Sequence, residues 1–400
     1  MPVRLLILTG LSHLDVIGYI TIQYVIIIPI EYHRVGLSMS SKKARVALVS
    51  FLLSSYRFFK RSGHSFDRIG LDEKVESIVI FSTTALGDFM FNTPAILSLK
   101  SRFPSARITL VSSHKNRNLV ECSPWFERVI FWDQKVKTAS KIVRLLKTDT
   151  PDIAVILHSK SPYDVLIATL SGAKYIFKDA YNESDLAMRR FVTSLSGVEF
   201  NGHLIERKMS LIKPMGCDVE NIEMKIPFSF EAKSKKNAII IGFQLGASDI
   251  QRQWPVLRFN ELAKLLINSG HNVEIVLIGS PNEVEISKKF MEGMTEAERQ
   301  SINDCVGKVS LKELVETISG FDLLVTGDTG PLHLAVALKV KTISLFVTAN
   351  PAYTGPLQDP HLHKIIRVNN NDDLMTSAQP MSIIGASEVM AAISEAIDEW

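Results

Sequence analysis

Several familiar signals are missing from this sequence, and each absence removes a class of function. The three cysteines, Cys122, Cys217 and Cys305, are scattered and odd in number. That rules out a disulfide framework and provides no metal-ligand spacing. Each reads as a small buried apolar residue, and a reducing cytoplasmic setting is the default. No G-x-x-x-x-G-K-[ST], G-x-G-x-x-G or G-x-S-x-G occurs, so P-loop, standard dinucleotide and α/β-hydrolase chemistry lose support. A net charge of +3 over 400 residues is too small to argue for nucleic acid. Asp372 and Asp373 sit in a polar turn without partners at ligand spacing, so no metal site is read there.

Acidic residues are also absent from Tyr32 to Phe66, a stretch holding Arg34, Lys42, Lys43, Arg45, Arg57, Lys60 and Arg61. Between these charges, Val46 to Phe59 is rich in aliphatic and aromatic side chains. Such a segment suits an anionic membrane surface; a helix packed on the protein with a solvated basic face is the competing account. Upstream, Leu14–Ile30 is strongly apolar but carries Asp15, Gln23 and Pro29. It is shorter than the roughly 20 residues that a bilayer span wants. With Arg4 as the only early positive charge and no A-x-A-like site, it makes a poor signal peptide. Translation starting at Met39 is a third possibility. Residues 1–74 are therefore set apart as an apolar and basic extension.

From Val75 onward, strands and helices alternate, which implies parallel sheets covered by helices on both faces. Residues 75–230 form one such series, with strands at Ser77–Ser82, Arg107–Ser112, Val129–Trp132, Ile153–Leu157 and Tyr175–Phe177. A polar linker follows at 231–237. Residues 238–378 form a second series, with strands at Ala238–Phe243, Val273–Ile278, Leu323–Val325 and Thr342–Val347. An amphipathic helix over Glu388–Trp400 closes the chain within 379–400.

Residues able to do chemistry gather where strands end, the edge at which open α/β sheets bind ligands. After Leu323–Val325, the turn Thr326–Pro331 opens a small-residue helix. Such a turn aims amides and a positive dipole end at a diphosphate, or is simply a well-capped βαβ turn. Asp328 or Thr329 can cap that helix, with Gly330 and Pro331 in its first turn. His333 on the same helix is either a motif residue or a packed core histidine. In the first half, the turn over Thr83–Ala95 carries Gly87 and Asp88 at its tip; Asp88 is a candidate general base or a helix cap. Gly246 and Ser248 form a second possible anion nest, and Arg252 precedes Trp254-Pro255 with a charge suited to phosphate. Glu283 can accept from ribose hydroxyls or cap its own helix.

Three blocks in order carry a resemblance. ALGDFMFNTPAILSLKSRFPSARITLV, LGASDIQRQWPVLRFNELAKLL and VTGDTGPLHLAVALKVKTISLFVTANPAYTGP together resemble glycosyltransferase family 9, the ADP-heptose–lipopolysaccharide heptosyltransferases. The resemblance spans roughly residues 77–357. It implies a GT-B architecture, two Rossmann-like domains facing a central cleft, and inverting, metal-independent transfer from a nucleotide-diphosphate sugar with no cofactor. By position, Asp88 matches the catalytic base and Gly87 and Thr93 the acceptor side. Asp328, Thr329, Gly330, Pro331 and His333 match the donor-diphosphate block, Arg252 stands where the family usually has lysine, and Glu283 matches a donor-ribose contact. Lys341 replaces the motif proline and Val347 the glycine after Leu-Phe. The implied partners are a nucleotide sugar and a lipid-linked surface glycan such as lipopolysaccharide core; the basic N-terminal extension, atypical of the shorter heptosyltransferases, adds an anionic membrane surface through residues 32–66. The implied location is cytoplasmic, peripheral on the inner membrane. A same-fold nucleotide-sugar epimerase or hydrolase and a non-catalytic membrane-docked scaffold are the rival readings.

Overall fold

The computed structural model describes residues 42–60, 74–197, 200–232, 237–368 and 379–397. The Leu14–Ile30 segment, the outer parts of the basic stretch, and Asp372 with Asp373 lie outside the described residues. The N-terminal lobe runs α1 (Lys42–Lys60), β1 (Ser77–Ser82), α2 (Leu86–Arg102), β2 (Arg107–Ser112), β3 (Arg128–Phe131), α3 (Val136–Lys147), β4 (Ile153–His158), α4 (Tyr163–Ser171), β5 (Tyr175–Asp179), β6 (Ser194–Ser196) and α5 (Leu204–Ile212). The C-terminal lobe runs β7 (Ile239–Gln244), α6 (Val256–Ile267), β8 (Val273–Ile278), α7 (Val284–Glu292), β9 (Ile302–Asp304), α8 (Leu311–Ser319), β10 (Leu323–Gly327), α9 (Gly330–Ala337), β11 (Lys341–Phe346), β12 (His363–Arg367) and α10 (Ala386–Ala396).

Both sheets are parallel, in the orders β3-β2-β1-β4-β5-β6 and β12-β11-β10-β7-β8-β9. Read from its other edge, the second order repeats the first. Each lobe is thus a doubly wound sheet whose strand order reverses once, between β1 and β4 or between β7 and β10. Crevices for ligands open at those reversals. Continuous apolar runs such as β1, buried at all six positions, follow from burial of the sheet on both faces.

One core cluster passes between the lobes, joining Phe89 and Phe91 of α2 to Leu332 and Ala335 of α9. The α2 and α9 helices pack directly on each other. Across the same seam, His203 Nε2 donates to the Gly355 carbonyl at 2.9 Å, and the Met224 amide donates to Gln358 Oε1 at 2.6 Å.

Four sequence expectations change. Cys122 is exposed, although Cys217 is buried. The expected turn over Thr83–Ala95 is helical from Leu86 onward, with Pro94 inside the helix. Proline cannot bond the carbonyl of residue i−4, here Met90. The Thr93 hydroxyl donates to that carbonyl at 2.8 Å instead, so the break the proline would cause is mended locally. The α4, α5, β6, β9 and β12 elements carried no clear periodic signal; α5 buries Arg207 and Lys208, which a hydrophobic pattern cannot reveal. The closing helix begins at Ala386 and packs on α6.

The α1 helix is docked on the N-terminal lobe. Val49 and Leu53 enter the core, with Val46 packed beside them. Arg57 donates to the Arg190 and Phe191 carbonyls at 2.5 and 2.9 Å. Phe51 and Phe58 stay 66% and 81% exposed. Among the described residues, no helix is long and apolar enough to cross a membrane.

Candidate functional site

Two strand-to-helix turns, one from each lobe, meet at the seam. A methyl group built on Gly87 would lie 2.9 Å from His333 Cδ2 and 3.9 Å from the Gly330 Cα. A methyl on Gly330 would meet Leu86 Cδ2 at 2.9 Å. Glycine at both places lets the first turns of α2 and α9 approach this closely. Asp88 follows Gly87 and Asp328 precedes the α9 N-terminus, and the Asp88 charge helps push the Asp328 carboxyl upward.

Asp88 is partly buried, and burial pushes its carboxyl above the usual range; Thr84, Lys208, Ala85 and Arg252 offset part of that shift. Beside it stands His158, the last residue of β4, whose Nδ1 lies 3.4 Å from Asp88 Oδ1. That nitrogen is buried and makes no hydrogen bond. The imidazole stacks on Tyr181 at 4.3 Å between centroids. Burial, with Lys208, Arg207, Lys178 and Lys160 nearby, lowers its pKa to about 2, so His158 is neutral under ordinary conditions. The Lys208 ammonium donates to the Leu157 carbonyl at 2.6 Å and also engages Asp179 and the Tyr181 hydroxyl. This buried charge sits behind the histidine. Sequence reasoning missed His158; its signal was a polar residue ending the apolar run IAVIL at the ligand-binding edge.

In the C-terminal lobe, Asp328 is also pushed upward by burial, against the pull of Arg252. Arg252 Nη1 donates to Asp328 Oδ2 at 3.2 Å. Gly327 makes this pairing possible, because a methyl there would sit 2.6 Å from the Arg252 carbonyl oxygen. The Trp254 indole nitrogen donates to the Ile384 carbonyl at 3.0 Å and fixes the segment that carries Arg252. Thr329 is the N-cap of α9, but its side chain makes no capping bond; it pairs instead with Thr326, oxygen to oxygen, at 2.9 Å. The α9 amides following it have no side-chain cap, and Pro331 occupies the first turn, where no donor is needed. His333 is buried, Nε2 lies 3.9 Å from Asp328 Oδ1, and Nδ1 has no hydrogen bond. Its pKa falls to about 3 through burial, and its ring packs on Phe91 at 4.3 Å.

The other expected positions divide. Glu283 accepts from the Ser280 amide at 2.5 Å in a capping box, and its Oε1 would lie 1.9 Å from a methyl on Gly246. A carboxylate therefore covers the first residue of the expected anion nest, while Ser248 is exposed beside it. Thr93 is fully buried, bonded to Met90, and accepts from the Lys225 amide at 3.2 Å. It supports α2 and the connector between the lobes rather than facing an acceptor. No cluster of three or more metal-ligating side chains occurs among the described residues.

A cavity of about 840 Å³ opens beside the Asp88 turn, at the carboxyl edge of the N-terminal sheet. Thr84, Ala85 and His158 form the wall it shares with the Asp88 site.

Comparison with known proteins agrees with this geometry. The family model described as glycosyltransferase family 9 (heptosyltransferase) matches residues 171–378. A lipooligosaccharide heptosyltransferase 2 from Haemophilus influenzae is 33% identical over 302 residues, covering 71% of this chain and 86% of its own length. A lipopolysaccharide heptosyltransferase 3 from Escherichia coli is 22% identical over 333 residues, covering 77% and 96%. Among solved structures, the ADP-heptose lps heptosyltransferase II of E. coli aligns over 80% of this chain and 98% of its own, at 19% identity and a TM-score of 0.67. That structural likeness supports the two-lobed GT-B fold.

Proposed function

Given that this chain belongs to glycosyltransferase family 9 and is a glycosyltransferase, we propose that it moves a heptose from ADP-heptose onto a lipid-linked glycan of the lipopolysaccharide core, with inversion and without a metal. The observation that carries the mechanism is the close approach of the Gly87 and Gly330 turns, which brings Asp88, the residue after Gly87, to the seam with α9.

In this reading, the donor diphosphate lies against the Thr329–Pro331 turn. The uncapped α9 amides, its dipole and Arg252 meet the charge that gathers on the leaving group. Asp88 takes the proton of an acceptor hydroxyl as that oxygen bonds to the anomeric carbon and the bond to the diphosphate breaks. One displacement at one centre inverts it. Burial supports the base role, because a carboxyl held above its usual range is a better proton acceptor. Neutral His158 keeps its Nδ1 3.4 Å from the Asp88 carboxylate, and neutral His333 packs the seam.

The heptose assignment rests on the names of the relatives, and ADP on the sequence blocks. The test incubates the enzyme with ADP-heptose, UDP-glucose and GDP-mannose, with and without truncated lipopolysaccharide core, and follows product by mass spectrometry. Acceptor-dependent heptosyl transfer with inverted configuration is expected. Heptose release without acceptor would overturn the reading in favour of a hydrolase.

The same reading places the enzyme on the cytoplasmic face of the inner membrane. Exposed Phe51 and Phe58, on a helix with exposed Lys42 and Lys43, support an interfacial contact. Flotation with anionic vesicles should fall for Phe51→Ser/Phe58→Ser; unchanged flotation would remove this surface from membrane docking.

A further inference from the structure

The proposed reaction leaves one large feature unused: the charged lining of the cavity next to Asp88. Its volume, about 840 Å³, falls within the range of ligand sites. Its walls come from the segments after β1 to β5, with Lys42 and Arg45 of α1 completing one side.

The charges on this lining are unequal in what they have to bind. Two carboxylates line it, and both are already engaged. Asp185 accepts from the Tyr181 and Asn182 amides at 2.8 and 3.2 Å and lies 3.2 Å from the Lys178 ammonium. Asp133 accepts from the Lys135 amide and the Thr138 hydroxyl at 3.0 and 2.8 Å. Four cations also line it, Lys42, Arg45, Lys115 and Lys160, and none has a carboxylate partner among the described residues. Lys42 donates to the Asn182 side-chain oxygen at 3.1 Å, a neutral partner that leaves its charge uncompensated. Arg45 touches the neutral Tyr163 hydroxyl, and its Nε is buried without any hydrogen bond. A buried cationic donor left open in this way calls for an oxyanion.

The helix that brings Lys42 and Arg45 here is not loosely attached. Val49 and Leu53 fix it in the core, and Arg57 ties its far end to the Arg190 and Phe191 carbonyls. The donor diphosphate of the proposed reaction has its own cation, Arg252, in the other lobe. An anion in this cavity therefore belongs to the acceptor.

Resting on the transferase reading above, we propose that α1 is part of the acceptor site. Lys42 and Arg45, with Lys115 and Lys160, bind a phosphate or carboxylate carried by the acceptor glycan and so hold its attacked hydroxyl at Asp88. The N-terminal segment thereby selects the acceptor as well as lying toward the membrane.

The test uses full-length enzyme and de-O-acylated lipopolysaccharide core in free solution, with three forms of acceptor: untreated, dephosphorylated with hydrofluoric acid, and carboxyl-reduced. In Lys42→Ala/Arg45→Ala the acceptor KM should rise about a hundredfold, at roughly tenfold per charged contact, with kcat and donor KM held. Lys42→Arg/Arg45→Lys should recover most of that loss, which a helix that had merely come undone would not do. The treatment that removes the recognised group should raise the wild-type KM and bring the ratio of variant to wild type toward one. Dephosphorylation doing so names a phosphate; carboxyl reduction names an acidic sugar. An unchanged acceptor KM in the alanine variant overturns the proposal. So does a defect seen only when the acceptor is embedded in anionic vesicles, since the cations would then serve the bilayer. Calorimetry of the same acceptors with the same variants reads the proposal even where no transfer occurs, so failure of the heptosyl assignment stays separable from failure of this one.

Discussion

Asp88 and Asp328 occupy matching places in two lobes of the same strand order. Each lies at a strand-to-helix turn beside the reversal of its sheet, each is raised by burial, and each stands near a neutral histidine with an unbonded Nδ1. Their cations differ. Asp328 holds Arg252 directly at 3.2 Å, whereas Asp88 has only distant positive charge, from Lys208 and Arg252. Similar folds thus give one carboxylate free to accept a proton and another committed to placing an arginine. What separates the roles is one residue from a different loop, brought in over Gly327.

The largest expected effect tests the free carboxylate. Asp88→Asn should reduce transfer by about a thousandfold, within the usual span for a general base, and leave ADP affinity near wild type by calorimetry. It should also melt higher than wild type at neutral pH. The sign follows from linkage: a carboxyl raised in the folded state destabilises as pH climbs from 3.8 through its folded value, and the amide cannot ionise. A melting temperature below wild type would place a stabilising charge at Asp88 and end the comparison.

Arg252 comes next. Arg252→Met should weaken ADP binding roughly ten- to a hundredfold, the range for a charged hydrogen bond, and lower stability by leaving Asp328 unpaired. Adding Asp328→Asn should restore the stability and not the affinity. If the double variant regains both, Arg252 serves only its aspartate.

A smaller effect is expected from His158→Phe, which keeps a ring for Tyr181 to stack on. Loss of the nitrogen facing Asp88 should move the acid limb of the pH–kcat profile upward. In the wild type no histidine step is expected near neutrality, since His158 and His333 stay uncharged down to about 2 and about 3. The smallest concerns Thr93→Val, which leaves the Met90 carbonyl unserved: a loss of about 1–3 kcal/mol in denaturant unfolding, with turnover per folded molecule retained. A selective rise in acceptor KM would return Thr93 to the acceptor side.

The strands and the two key turns were legible because buried parallel strands spell themselves as apolar runs and the chemistry collects at their carboxyl ends. Asp88, Arg252 and the Asp328–Pro331 turn could be found in that way, and the seam brings them together. Thr93 could not be judged from sequence, since its task depends on a proline one residue later and on Lys225 far along the chain. Glu283 showed two roles in sequence, and its bond to Ser280 displays the capping one. Lys42 and Arg45 looked like generic basic charge; only the docking of Val49 and Leu53 reveals that they line the cavity beside Asp88.

The Thr93 hydroxyl reaches both the helix that bears Asp88 and the strap leading to the second lobe. Its two bonds, 2.8 Å to Met90 and 3.2 Å to Lys225, make it a rivet. Without that hydroxyl, the helix that bears Asp88 and the strap would each lose a bond, and the tie between the two halves of the molecule would loosen at its root.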